Sequence, residues 1–146
     1  LWSDPTAGRG IPSLFRLFWT SLLLGATFLA IAYAISALAR RPGAAAGLAV
    51  GVWLVFIVLY DLGLLAAIVA DGGGVFTTTV FPWLMLANPA DAFRLYNLAA
   101  SDAAGAASGL AGAATPIPPA QALASLWLWP VAAFLAAVAA FRKVTP

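Results

Sequence analysis

One carboxylate, Asp61, interrupts an otherwise apolar run of 27 residues between Ala44 and Ala70. An ionisable side chain in such a stretch is costly in lipid, faces protein or water, and is commonly held by a partner of opposite charge. Arg94 and Arg16 are the candidate partners. A blander reading ends the span at Tyr60 and leaves Asp61 at the outer interface. Gly43, Gly47 and Gly51 recur at every fourth position of the same run. A strip of this kind lets another backbone approach closely, as in a helix–helix packing seam; chance in an Ala/Gly-rich chain is the alternative. At about 100° per residue, Asp61 lies five full turns beyond Gly43, so an ideal helix puts it on the glycine face.

Further along, Asn88-Pro89-Ala90-Asp91 has the form of a helix start. Asn suits the N-cap, Pro the first helical position and Asp the first turn. Arg94 stands three residues after Asp91, within reach of an i,i+3 ion pair. Capping is the first role read for Asn88, Pro89 and Asp91, and recognition of a partner the second.

Cysteine, histidine and glutamate are absent, and Met85 is the sole methionine. Disulfides, the usual zinc sites, thiol or imidazole nucleophiles and a methionine-rich copper path are therefore excluded. The sequence offers no Ser/His set, no carboxylate pair at helical spacing and no phosphate-binding loop. No catalytic, cofactor-binding or metal-binding residue is assigned, and ATP hydrolysis is expected in a separate subunit.

The elements that must position these residues are membrane helices. The chain is 64% hydrophobic and 8% charged, with a mean hydropathy of +1.00. Soluble domains carry about 25% charged residues, and a small soluble fold could not hide so much apolar surface. Seven Lys/Arg against five Asp give a formal charge of +2. The basic residues are scattered singly or in pairs, which excludes a nucleic-acid face.

Three runs are long enough to span. They cover 14–39, 44–70 and 120–141, and the first, of 26 residues, would extend about 39 Å as a helix. Residues 1–13 form an outer N-terminal segment, 40–43 a short loop and 142–146 a tail. In the 71–119 segment, Gly72-Gly73-Gly74 reads as a flexible break. Val75 to Ala87 is apolar but too short to cross, and so re-entrant or interfacial. A short helix runs to about Ala100, and Ala103 to Ala114 is weakly determined. The fold class expected is an all-α membrane protein: three transmembrane helices with an extracytoplasmic re-entrant or interfacial helical segment.

Basic residues orient it. Arg40, Arg41, Arg142 and Lys143 flank the spans at one side, whereas 71–119 holds only Arg94. The positive-inside rule puts the 40–43 loop and the tail in the cytoplasm and 71–119 outside. Contact of Arg40 and Arg41 with a cytoplasmic partner is the weaker reading. Trp19, Trp83, Trp127 and Trp129 fit an outer aromatic belt. Leu1 would then lie outside, and the simplest account is a truncated chain that follows further spans; a variant start codon is the alternative.

WLVFIVLYDLGLL (Trp53–Leu65), FPWLMLANPADAFRLYNLAAS (Phe81–Ser101) and ISALARRPGAAAGLAVGVW (Ile35–Trp53) together resemble the permease subunits of ABC transporters for nitrous oxide reductase maturation, an ABC-2 type family. The resemblance covers most of Phe28–Ser101, is most specific in NPADAFRLYNL and is only generic in the last span. It implies that these are the fourth to sixth helices of a six-helix permease in the bacterial inner membrane, with short dipping helices outside between the last two. The family's main cytoplasmic coupling helix, between its second and third spans, would lie outside this chain.

The resemblance also implies a second permease copy, cytoplasmic ATPase subunits and a periplasmic maturation protein, in support of the reductase's copper–sulfur cluster. Without Cys or His this chain is not expected to ligate copper. Either a sulfur species is exported, or ATP-driven motion passes to the periplasmic partner. The expected contact with that partner is Trp83, Asn88, Asp91, Arg94 and Tyr96. An ABC-2 exporter of lipid or drug, and a non-transporting membrane anchor or assembly scaffold, are the alternatives.

The topology is testable by single-cysteine labelling, since the chain has no native cysteine. An impermeant thiol reagent applied from outside is expected to mark positions 73 and 105 but not 42. Strong labelling at 42 would invert the orientation.

Overall fold

The structure, a computed structural model, describes residues 7–39, 41–99 and 117–144. The expectations for Arg40 and for Ala103–Ala114 lie outside the described residues. Five helices are described. Helices α1 (Ala7–Leu38), α2 (Pro42–Asp71) and α5 (Pro119–Val144) contain the three segments long and apolar enough to cross a membrane. Between α2 and α5 lie α3 (Phe76–Leu86) and α4 (Pro89–Ala99). The expected fold class is met: an all-helical, three-span membrane protein with two short helices between its last two spans.

The boundaries follow local chemistry. Helix α1 begins at Ala7, earlier than the apolar run itself, and carries Pro12 inside its second turn. There its missing N–H leaves one ladder bond unmade near the start of the helix. Arg41 is extended (φ −137°, ψ 134°) ahead of Pro42, the first residue of α2, as the residue before a proline favours. At the far end of α2, Gly72 takes a left-handed conformation (φ 58°, ψ 29°) and its N–H donates to the Ile68 carbonyl. Asp71 then accepts from the Thr77 N–H at 2.8 Å and the Thr77 hydroxyl at 2.9 Å. A Cβ on Gly74 would meet Asp71 Oδ1 at 2.7 Å. The triple glycine expected as a flexible break is therefore a closed turn, because left-handed backbone and close approach to a carboxylate both require glycine.

Packing is uneven. Helix α5 presents Ala122, Leu126, Ala133, Ala137 and Ala140, all buried, at spacings that form one stripe. Helices α1 and α5 share the most extensive interhelical contact in the fold. Small residues along such a seam allow close van der Waals approach, which drives association where no water is present. Thr27, fully buried on α1, returns its hydroxyl to the Leu23 carbonyl at 2.9 Å. Helix α2 is different: none of its residues is buried.

The α2 ladder is not regular. Val55–Leu59 forms a π-turn, in which the Tyr60 N–H donates to the Val55 carbonyl. A π-turn takes up one more residue than an α-turn, about 100° of phase. The glycine face and Asp61 therefore do not coincide, contrary to the expectation from an ideal helix. Asp61 turns toward α4, while a Cβ added at Gly43, Gly47 or Gly51 meets nothing within 4 Å. The strip packs on no other part of the described chain, so a seam there needs a neighbour from elsewhere in the assembly. On that reading Gly47→Leu leaves the packing of these helices intact and weakens assembly of the full-length protein by about 1–2 kcal/mol. Unchanged self-association in detergent would assign the strip to chance.

Candidate functional site

Helix α4 is the point at which the three spans meet. Asn88 caps it: its side-chain oxygen accepts from the Ala90 N–H at 2.9 Å. The same side chain donates from Nδ2 to the Phe56 carbonyl at 2.8 Å. Phe56 lies in the π-turn, where the irregular ladder gives a side-chain donor access to a backbone carbonyl. Its ring stands edge-on to Phe28 of α1 and to Trp129 of α5, with centroids 6.2 and 5.5 Å away. Trp129 thus makes an internal contact with α2.

Neutral hydrogen bonds complete the attachment. Asn97 donates to the Thr20 hydroxyl on α1 at 3.0 Å and to its own Phe93 carbonyl at 2.9 Å. The end of α3 leaves carbonyls without helical donors, and neighbouring spans supply them. The Tyr60 hydroxyl of α2 donates to the Leu84 carbonyl at 2.7 Å, and the Ser125 hydroxyl of α5 to the Leu86 carbonyl at 2.5 Å. Thr20 and Ser125 lie in the first halves of their helices and Tyr60 in the second half of its own, so α1 and α5 run one way and α2 the other.

Charge is concentrated at one place. Arg94 Nη1 donates to Asp61 on α2 and to Asp91 on its own helix, the latter at 3.1 Å. Helix α2 continues ten residues past Asp61 to Asp71. Asp91 is buried, its side chain only 4% exposed, whereas those of Arg94 and Asp61 are 42% and 36% exposed. Burial, and then the negative charge of Asp61, push the Asp91 carboxyl up to about 7 against the pull of Arg94. Burial disfavours the charge on Arg94, but its bonds to the two aspartates outweigh that and raise its pKa. The three side chains, with Leu64, Leu65, Ile68, Phe81, Met85 and Leu95, line a cavity of about 190 Å³.

The residues expected to contact a partner differ in exposure. Asn88 and Asp91 are buried and turn their polar atoms into the chain, so neither offers an exposed face. Arg94 is engaged by two carboxylates within the chain. Trp83 on α3 is 65% exposed, and Tyr96 is half-buried. Arg94, and not Arg16, meets Asp61; Arg16 lines a separate cavity with Trp19, Tyr96 and Trp127. Phe56, Tyr60, Thr20, Asn97 and Ser125 were not singled out in the sequence. Asn97 and Thr20 carry a weak signal, as polar residues beside long apolar runs. Phe56 carries none, because its role depends on the π-turn. Among the described residues no cluster of three or more acidic, Cys or His groups could hold a metal.

The family profile described as "ABC-2 family transporter protein" matches residues 1–144. The chain belongs to the ABC-2 transporter family. It is 45% identical over 132 residues to a protein of Pseudomonas aeruginosa named "Probable ABC transporter permease protein NosY", covering 88% of this chain and 46% of that one. It is 41% identical over 139 residues to the protein of the same name from Stutzerimonas stutzeri, covering 89% of this chain and 50% of that one. The chain thus spans about half the length of the curated relatives it matches. As an ABC-2 family member with three such apolar helices it is a multi-pass inner-membrane protein.

The Asn88 junction is open to test in the full-length protein. Asn88→Ala removes the cap and leaves the Phe56 carbonyl without its side-chain donor, with an expected loss of about 1–3 kcal/mol. Asn88→Ser keeps a capping oxygen and should fall between wild type and Asn88→Ala. Thermal unfolding in detergent measures both; a wild-type midpoint for Asn88→Ala would remove the junction from the account.

Proposed function

We propose that this chain is part of the membrane-spanning permease subunit of an ABC transporter that supports copper–sulfur cluster maturation of nitrous oxide reductase. The likeness to two permeases of that name, over 88% and 89% of this chain, carries the reading. The full permease would pair with a second copy and with cytoplasmic ATPase subunits, and would meet a periplasmic maturation protein outside. Neither Cys nor His is present to ligate copper. The work done at the membrane is then export of a sulfur species or mechanical coupling to the periplasmic partner.

The attachment of α4 favours the coupling route. Side-chain bonds and the ion pair tie α3 and α4 to all three spans at one end. Coupling requires a contact that differs between two states, and an outer helix bolted to each span would move whenever the spans shift. The docking surface is assigned to exposed Trp83 with Tyr96. Buried aromatic anchors commonly dominate interfaces, so Trp83→Ala in the full-length permease should reduce recovery of the periplasmic partner severalfold. Recovery of the ATPase subunit from the same membrane extract should be unchanged and reductase maturation should fall. Normal partner recovery with normal maturation would remove Trp83 from the interface. Failure of the wild-type permease to co-purify with any ATPase subunit would instead favour a membrane anchor or scaffold.

A further inference from the structure

The Asp61–Arg94–Asp91 group has an odd charge count. With both carboxylates ionised, two negative charges face one guanidinium, and one negative charge is left at a small cavity walled mainly by Leu64, Leu65, Ile68, Phe81, Met85 and Leu95. The bonding is also incomplete. Asp91 Oδ1 receives Arg94, but Asp91 Oδ2 is buried and has no hydrogen-bond partner. A buried, unpartnered carboxylate oxygen is expensive as an anion and much less so as a hydroxyl.

Among the described residues that line the cavity, Arg94 is the one cation. From α2, Asp61 and Tyr60 approach it; from its own helix, Arg94 does. Helix α3 contributes Phe81 and Met85, which do not titrate. The half of α5 that packs here carries no charged residue before Arg142. Arg16 of α1 and Tyr96 of α4 line the separate cavity that also holds Trp19 and Trp127.

We propose that this cavity is a proton-binding site, in which Asp91 holds one exchangeable proton and its occupancy sets how firmly Arg94 ties α4 to Asp61 of α2. With the proton bound, Arg94 has a single anionic partner, Asp61, and the α2–α4 tie is at its strongest. With the proton lost, Asp91 competes for the guanidinium and repels Asp61, so the tie loosens. The carboxyl's rise to about 7 brings that exchange into the physiological range. The sign follows from linkage: a raised carboxyl pKa means that the packed state binds more protons than the separated one. The tie is therefore favoured at low pH and lost as pH climbs through about 7. The proposal does not depend on what, if anything, the transporter carries.

The test uses the full-length protein in lipid nanodiscs. pH-difference infrared spectra of wild type minus Asp91→Asn should show a carboxylic-acid C=O band that disappears with a midpoint near 7. Asp61→Asn should lower that midpoint by about one pH unit or more, since it removes a repelling charge and releases Arg94 to Asp91. Cysteines placed at Leu64 and Leu95 should cross-link progressively more slowly, relative to the same pair in Asp91→Asn at each pH, as pH rises; the ratio removes the thiolate's own pH dependence. Absence of the band, or a midpoint indifferent to Asp61→Asn, overturns the proton site; this second comparison holds even if Asp91→Asn does not fold. A midpoint that tracks sodium or ammonium concentration at fixed pH would show that a cation, and not a proton, balances the charge. A normal band with a wild-type to Asp91→Asn cross-linking ratio that stays constant across pH overturns the control of the tie.

Discussion

Hydrocarbon offers no water to a backbone carbonyl or a side-chain amide, so every polar group carried to that depth must find a partner within protein. In this chain the demand is met most fully at the bond from Asn88 to Phe56. The π-turn at Val55–Leu59 would be a weak point in α2 if the Phe56 carbonyl had only its own irregular ladder to rely on. Asn88 answers it with one hydrogen of its amide while its oxygen caps α4. The two irregularities, a helix start and a helix bulge, satisfy each other. Because the Phe56 ring also lies between Phe28 and Trp129, the same residue joins the spans laterally and anchors α4.

The rest of the arrangement depends on that junction. Once α4 is fixed over the π-turn, Asn97 reaches Thr20 and Arg94 reaches Asp61. The carbonyl end of α3 falls where Tyr60 and Ser125 can donate to it. Each of these bonds joins residues more than 20 positions apart in sequence, so none could form before the helices are in place. Among the described residues, the opposite half of α2, with its glycine strip, has no comparable attachment. It is well placed to face lipid or helices contributed from outside this chain.

The sequence made the spans legible because their signal is length and hydropathy, which a bilayer imposes on each helix separately. The start of α4 was equally legible, since Asn-Pro-x-Asp is a local capping pattern. Asp61 and Arg94 were readable as a pair because charges in apolar surroundings have few possible partners. The phase between the glycine strip and Asp61 was not. It rests on one extra residue in a π-turn among Val, Phe, Ile and Leu, whose types say nothing about ladder register. The inward turn of Asn88 and Asp91 was not legible, for a related reason. A polar residue beside a membrane can turn toward water or toward an orphaned carbonyl, and only the packed structure decides which.

The two kinds of bond around α4 do different work. The amide and hydroxyl bonds of Asn88, Asn97, Tyr60 and Ser125 are neutral, so pH and ionic strength across the ordinary range leave them unchanged. They fix where α4 sits. The Asp61–Arg94–Asp91 group has a charge count that a proton alters, and it lies on the side facing α2, the span with no buried residue. A fully neutral attachment would hold the helix in one place; a fully ionic one would cost too much to desolvate. Because the neutral Asn88–Phe56 bond already seats α4 on the π-turn of α2, the ionic contact leaves that seat fixed while the hold on the Asp61 turn of α2 can vary. Relative movement of spans is then felt at α4 without dismantling the junction.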